Sequence, residues 1–188
     1  AGLWNKEPPA AGWSATRFNL HATAAAILAD LMVEQLPSEY PEGAFAAGLL
    51  HDFGKLLMAA ELPAEYTELR RRIEGGAEPD TAETELFGVT HAELGAAALR
   101  CWNLPAPIAG AVAGHHGAAR RGGAGAPLAA VVQCADRTAN RLGIHVAASH
   151  PEAGRPAGEP LEELGLGAQS GALVEEFSRE FEAAKAFF

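Results

Sequence analysis

The chain has 188 residues, 48% of them hydrophobic, which is enough for one real core and too little for two. Its formal charge of -10 excludes the dense basic surface needed to wrap a nucleic acid polymer, so a small anionic ligand would need a local cationic device. Two cysteines, Cys101 and Cys134, have neither disulfide-framework nor Cys-x-x-Cys spacing, the usage of a reducing, cytoplasmic compartment.

No signal peptide is legible, and the apolar stretches are too short and too often broken to span a bilayer, so no membrane partner is expected. A first residue Ala1 in place of Met is expected of a fragment or a processed product. Abundant Ala, few β-branched residues and apolar positions recurring at three and four predict an all-α domain. Residues 1–15, with Pro8 and Pro9, read as an irregular lead-in to a single helical domain over 16–188. A first helix is expected over 16–35, with Leu20, Ala24, Ile27, Leu28 and Leu31 on one stripe. Pro37 and Pro41 bracket a turn, and residues 43–60 read as one central helix, the most hydrophobic of all. Residues 64–75 read as an exposed charged helix whose Arg70, Arg71 and Arg72 form a solvated face. Thr90 and Glu93 stand at capping-box spacing, which places His91 in the first turn of a helix that ends by Pro105. A helix over 107–115 follows, then a Gly-rich loop, "GAARRGGAGA". Pro127 opens a helix to Leu142 with Leu128, Val131, Val132, Ala135 and Ala139 as its apolar stripe. "HVAASHPEAGRPAGEP" reads as a second loop, with His145 and His150 as bystanders, and residues 171–187 as a last amphipathic helix. Trp102 is expected to pack in the core.

Chemistry-bearing residues interrupt these apolar segments. In "AGLLHDFGKLLMA", residues 47–59, a His, an Asp and a Lys break an otherwise buried run. An unpaired carboxylate in a core costs several kcal/mol or becomes neutral, so Asp52 and Asp136 each need a nearby cation. The core segments hold too few cationic side chains to serve both. Imidazoles of His21, His51, His91, His115 and His116, converging with Asp52 and Asp136 from separate helices, would form a site suited to Fe, Mn, Zn or Ni over Ca. On a continuous helix His51 and Asp52 point about 100° apart. Lys55, three residues after Asp52 and four after His51, shares their face and can aim an ammonium at an anion held there, or can simply pair with Asp52.

The order His21 in "FNLHATAAA", His51 and Asp52 in "GLLHDFGK" and Asp136 in "VVQCADRTA" resembles the HD superfamily of metal-dependent phosphohydrolases. "AGLLHDFGKLL", "FGVTHAELGAAALRCWNLPAPIAGAVAGHH" and "LEELGLG" make the chain more closely similar to the HDOD family, the HD-related output domains of bacterial signalling proteins, over roughly residues 16–185. The resemblance implies an HD-like helical bundle with a central metal site. By likeness to dinuclear members, one metal would take His21, His51, Asp52 and Asp136, and a second His91, His115 and His116, with Asp52 bridging. Two such metals about 3.5–4 Å apart can activate water and neutralise the phosphate it attacks in line. Asp52 and Lys55 would be the catalytic pair, with Lys55 balancing transition-state charge.

Three functions are open at this point. The first is a phosphohydrolase for a small phosphodiester such as a cyclic (di)nucleotide. The second is a non-catalytic output module that binds a nucleotide or protein partner. It is favoured by the HDOD likeness and by the absence of the Gly-Tyr-Pro motif that HD-GYP phosphodiesterases carry after "HH". In that reading the apolar Phe187 and Phe188 dock a partner or a second copy. The third is a di-iron oxygenase, because some HD enzymes use nearly the same ligands.

Overall fold

The computed structural model describes residues 10–36, 43–117, 127–148 and 150–186. Among them the chain is all-α, a helical bundle with a His/Asp cluster at its centre, as expected. The helices are α1 (Ala15–Gln35), α2 (Ala44–Leu50), α3 (Phe53–Glu61), α4 (Pro63–Glu74), α5 (Pro79–Phe87), α6 (His91–Cys101), α7 (Ala106–Gly114), α8 (Leu128–Arg141), α9 (Gly158–Leu164) and α10 (Ser170–Lys185). Several starts are written in local chemistry. The Ser14 hydroxyl accepts from the Arg17 amide at the head of α1, and Thr90 and Glu93 close the expected capping box that begins α6 at His91.

Helix α1 is the axis of the bundle and packs on α2, α8 and α10, while α6 packs on α3 and α7. The larger apolar core gathers Leu28, Met32, Leu99, Val112, Val131 and Phe177, and a smaller one gathers Trp13, Phe18, Phe53, Tyr66 and Leu69. Trp13 of the lead-in belongs to this second core, 5.1 Å from Phe18 and 5.6 Å from Tyr66 between ring centres.

Two backbone contacts set the spacing at the centre. A Cβ on Gly48 would lie 2.6 Å from the Ala25 carbonyl oxygen, so the small residues of α1 and α2 let the two backbones touch. A Cβ on Gly54 would overlap the His91 carbonyl, and one on Gly95 would stand 3.1 Å from the Gly54 nitrogen. Glycine on both sides is what brings α3 against the start of α6.

The structure departs from the sequence reading in five places. The helix expected over 43–60 is two, broken at His51 and Asp52: Asp52 has φ -95° and ψ 8°, and the His51 ring donates to the Gly48 carbonyl at 2.7 Å, a side-chain bond competing with the helical ladder. The pair therefore sits on a turn, not along a helix edge. Helix α5 and helix α9 were not anticipated, and the second loop ends at α9. Arg70 is not on a solvated face: its side chain is only 14% exposed, against 74% for Arg71. Trp102 is 56% exposed, its ring resting against Phe53 at 5.1 Å, so it lies over the core. The "GAARRGGAGA" loop beyond Gly117, Phe187 and Phe188 lie outside the described residues.

Gly54→Ala should lower stability by about 1–3 kcal/mol or more, since the added methyl meets backbone that cannot rotate away. Gly110→Ala, on exposed helix with open space around it, should instead be neutral or add up to about 1 kcal/mol. Urea unfolding of the two variants checks this, and equal effects would remove the close-approach argument.

Candidate metal centre

The seven residues singled out in the sequence come from five places in the fold and meet in one cluster. His21 is on α1, His51 and Asp52 are on the α2–α3 turn, and His91 opens α6. His115 and His116 follow α7, and Asp136 is in the middle of α8. Ligand atoms of Asp52, His91, His115 and His116 lie within 4.8 Å of one another, and so do those of His21, His51 and Asp136. Asp52 stands between the groups. Its Oδ2 is 3.6 Å from His21 Nε2, and its Oδ1 is 3.5 Å from His51 Nε2 and 3.3 Å from His91 Nε2. Asp136 Oδ1 lies 3.1 Å from His21 Nε2 and 3.6 Å from His51 Nε2.

The rings are aimed by their outer nitrogens. His21 Nδ1 donates to the Ile144 carbonyl at 2.8 Å, His51 Nδ1 to Gly48 at 2.7 Å and His115 Nδ1 to Val112 at 2.7 Å. A carbonyl only accepts, so each Nδ1 carries hydrogen and each Nε2 is the position open to a proton or a metal. His91 Nδ1 donates to the Glu83 carboxylate at 2.7 Å, the carboxylate–histidine arrangement common around metals.

These Nε2 atoms face one another, His21 and His51 at 3.3 Å and His91 and His116 at 2.9 Å. With hydrogen on both Nδ1 atoms, the His21 and His51 Nε2 lone pairs repel at that separation unless a proton or a metal ion lies between them. Asp52 Oδ1 and His115 Nε2 are moreover buried with no hydrogen-bond partner. Orphaned buried acceptors facing each other are costly, and a metal ion is a single group that satisfies them together. The donor set fits borderline transition metals.

The local field favours positive charge. Burial alone would raise Asp52, but Lys55, His51 and His91 outweigh it and hold the carboxyl well below the usual range. Burial opposes ionisation of Asp136 as well, yet hydrogen bonds with His21 and His51 keep it well below its ordinary value. His51 is disfavoured as a cation by burial but raised by Asp52 and Asp136, so a proton is drawn to the place a metal would take. His115 is pushed well below its ordinary value by burial and by the neighbouring histidines, which leaves a neutral ligand. Lys55 Nζ lies 2.8 Å from Asp52 Oδ2, and despite burial its ammonium is held charged by Asp52 and Asp136.

His116 Nε2 turns into the cluster although the residue sits at the surface. A cavity of about 620 Å³ opens from the centre, lined by His21, Asp52, Lys55 and Asp136. His150, read from the sequence as a bystander, lines it too, and its ring stacks on His145 at 6.1 Å. Two supporting residues escaped the sequence reading. Glu83, buried on α5, accepts from both Nδ1 and the amide of His91, and Asn140 donates to Asp136 Oδ1 at 2.8 Å. The Asn140 spacing, four after Asp136 on one helix, was a legible signal; Glu83 became interpretable only with α5 in place.

A family model described as the HDOD domain matches residues 2–118. A curated relative from Treponema pallidum (strain Nichols), an uncharacterized protein, is 33% identical over 73 residues, covering 38% of this chain and 14% of the relative. A solved protein from Shewanella amazonensis SB2B, provisionally named a phosphohydrolase, shares the fold with a TM-score of 0.72 at 22% identity over 92% of this chain and 62% of its own. An HDOD domain protein of unknown function from Geobacter sulfurreducens superposes with a TM-score of 0.70 at 20% identity over 98% of this chain and 64% of its own. This chain thus spans less than two thirds of each of these proteins.

The buried carboxyls make metal-free protein acid-labile. Asp52, Asp136 and Glu83 all sit below their ordinary values of 3.8 for Asp and 4.5 for Glu; for Glu83 burial is outweighed by its bonds from His91. As pH falls, the unfolded chain takes up protons before the folded one. Their stabilisation is therefore present above those ordinary values and lost as pH drops through the folded ones. Chelator-treated Glu83→Gln should be less stable at neutral pH and decline less steeply between about pH 5 and 3. Denaturant midpoints across pH measure this, and a wild-type curve would deny Glu83 its role.

Proposed function

The chain belongs to the HDOD family, and from that premise we propose that it is a metal-dependent phosphohydrolase acting on a small phosphodiester, such as a cyclic (di)nucleotide, in bacterial signalling. One observation carries the reading: imidazole nitrogens fixed by outer hydrogen bonds converge on a buried carboxylate that lacks a partner at Oδ1. One metal would be held by His21, His51, Asp52 and Asp136, and a second by His91, His115 and His116, with Asp52 shared. Fe or Mn are the preferred ions, with Zn or Ni as alternatives. When bound, two divalent ions acidify coordinated water and neutralise charge on the phosphoryl group.

The chain's own residues do the rest. Asp52 is the common carboxylate, positioned by the turn between α2 and α3. Asp136 and His91 are kept in orientation by Asn140 and Glu83. Lys55, a quarter exposed and lining the cavity, presents an ammonium to a non-bridging phosphoryl oxygen, where negative charge must be balanced in the transition state. The cavity admits the remainder of a small phosphate ester.

A second reading, a non-catalytic output module with a nucleotide, a protein partner or a second copy as its ligand, is favoured by one contact. Lys55 Nζ donates to Asp52 Oδ2 at 2.8 Å, so that oxygen has a cationic partner within the chain itself. Both readings place the protein in the cytoplasm, and among the described residues no helix is long and apolar enough to cross a membrane.

Elemental analysis, followed by phosphodiester hydrolysis after loading with Mn or Fe, tests the proposal. About two metals per chain and metal-dependent turnover are expected. Asp52→Ala should lose both, while Lys55→Ala should keep metal and slow turnover by roughly 10²–10³-fold. Metal with no turnover would favour the output module, and iron with oxygen consumption would favour an oxygenase.

A further inference from the structure

The cavity is larger than the chemistry at the cluster requires. Its volume of about 620 Å³ is some twenty times the share of liquid volume taken by one water, roughly 30 Å³, so a phosphoryl group alone would leave most of it unfilled. One wall is built by α4, where Tyr66, Leu69, Arg70 and Ile73 follow one another at three- and four-residue spacing and all line the cavity. That wall is apolar except for the Tyr66 phenol, the Arg70 guanidinium and, at the end of the helix, the Glu74 carboxylate.

Arg70 is unusual there. Its Nη2 donates to Glu74 Oε1 at 3.0 Å, but its Nε–H is buried without a partner. A guanidinium offers five donors in a planar fork that suits two oxygens of one phosphate or carboxylate. Glu74, its carboxylate partner among the described residues, is 63% exposed and also lines the cavity, so it can turn to water when an anion arrives.

We infer that Arg70 is a specificity-determining residue that grips a second anionic group of the ligand, while its first phosphate lies at the metal cluster and its body rests on Leu69 and Ile73. The ligand class is then a nucleotide-like compound carrying two separated phosphates. The inference rests on the reading of the cluster as a phosphate site, and not on whether that site hydrolyses.

Calorimetric titration of metal-loaded protein separates the two. Adenosine 5′-monophosphate is compared with adenosine 3′,5′-bisphosphate and with the 5′-phosphorylated adenosine dinucleotide. The wild type should bind at least one two-phosphate ligand about tenfold or more tightly than the monophosphate. Arg70→Ala should erase that preference with monophosphate affinity and metal content unchanged, and Arg70→Lys should restore part of it. Glu74→Gln, which frees the guanidinium, should widen it, an effect in the opposite direction that damage to the fold would not produce. A wild type with no preference for either two-phosphate ligand, or an Arg70→Ala variant weakened equally for all three, overturns the inference. Preference without hydrolysis would leave it standing and set aside only the phosphohydrolase reading.

Discussion

The centre of this molecule depends on the hydrogen bonds made by the outer nitrogens of its buried histidines. Ile144, Gly48 and Val112 present carbonyl oxygens that can only accept, and Glu83 presents a carboxylate. Those four partners decide that hydrogen sits on Nδ1 and that Nε2 points inward. Without them each ring could flip or change tautomer, and the cluster would be an ordinary set of buried polar groups seeking partners. With them the inward nitrogens are committed to a proton or a metal. The same bonds tie distant segments together, since His21 on α1 holds the chain beyond α8 through Ile144, and Arg17 supports that contact through the Val146 carbonyl at 3.2 Å.

Close backbone approach supplies the second condition. Side-chain ligands of fixed length meet only if the helices that carry them are near enough, and here glycine does that work at two contacts. Gly48 against Ala25 sets the distance between His21 and His51, and Gly54 against the His91 carbonyl sets that between Asp52 and His91. The apolar core around Leu28, Met32 and Val131 then makes those approaches favourable, because burying this surface is the main source of stability. Packing and ligand geometry are therefore one problem in this fold.

Much of this was legible in the sequence, and what was not has identifiable causes. The all-α class followed from periodicity, and the boundaries of α1, α6 and α8 from caps and stripes that act over three or four residues. The break at His51 and Asp52 was missed because its cause is a ring bonding back to Gly48, which composition does not display. Helix α5 was missed because Glu78 caps it in place of the usual Ser or Thr, and Glu83 was lost with it. Arg70 was assigned to solvent with its neighbours in "RRR", yet the helix period turns it 100° from Arg71 and toward Tyr66 and Leu69. The cluster residues were singled out because polar groups inside apolar runs need a reason, and that signal is local; their grouping around Asp52 is tertiary.

Charge closes the argument about ligand binding. The protein carries a formal charge of -10, and its cavity is lined by Asp52, Asp136, Glu83 and Glu74 against the two fixed cations Lys55 and Arg70. By its own side chains the cavity is a poor place for an anion, because both cations are engaged by carboxylates at 2.8 and 3.0 Å. Bound divalent ions would be the largest local charges and would reverse the sign of the field felt by a phosphate. They would also compete with Lys55 for Asp52, freeing its ammonium. Anion binding should thus be thermodynamically coupled to metal occupancy, with each favouring the other by the same factor. Under the proposed function, that coupling would reconcile the acidic charge with a phosphate ligand, because attraction would be confined to the metal-loaded cavity.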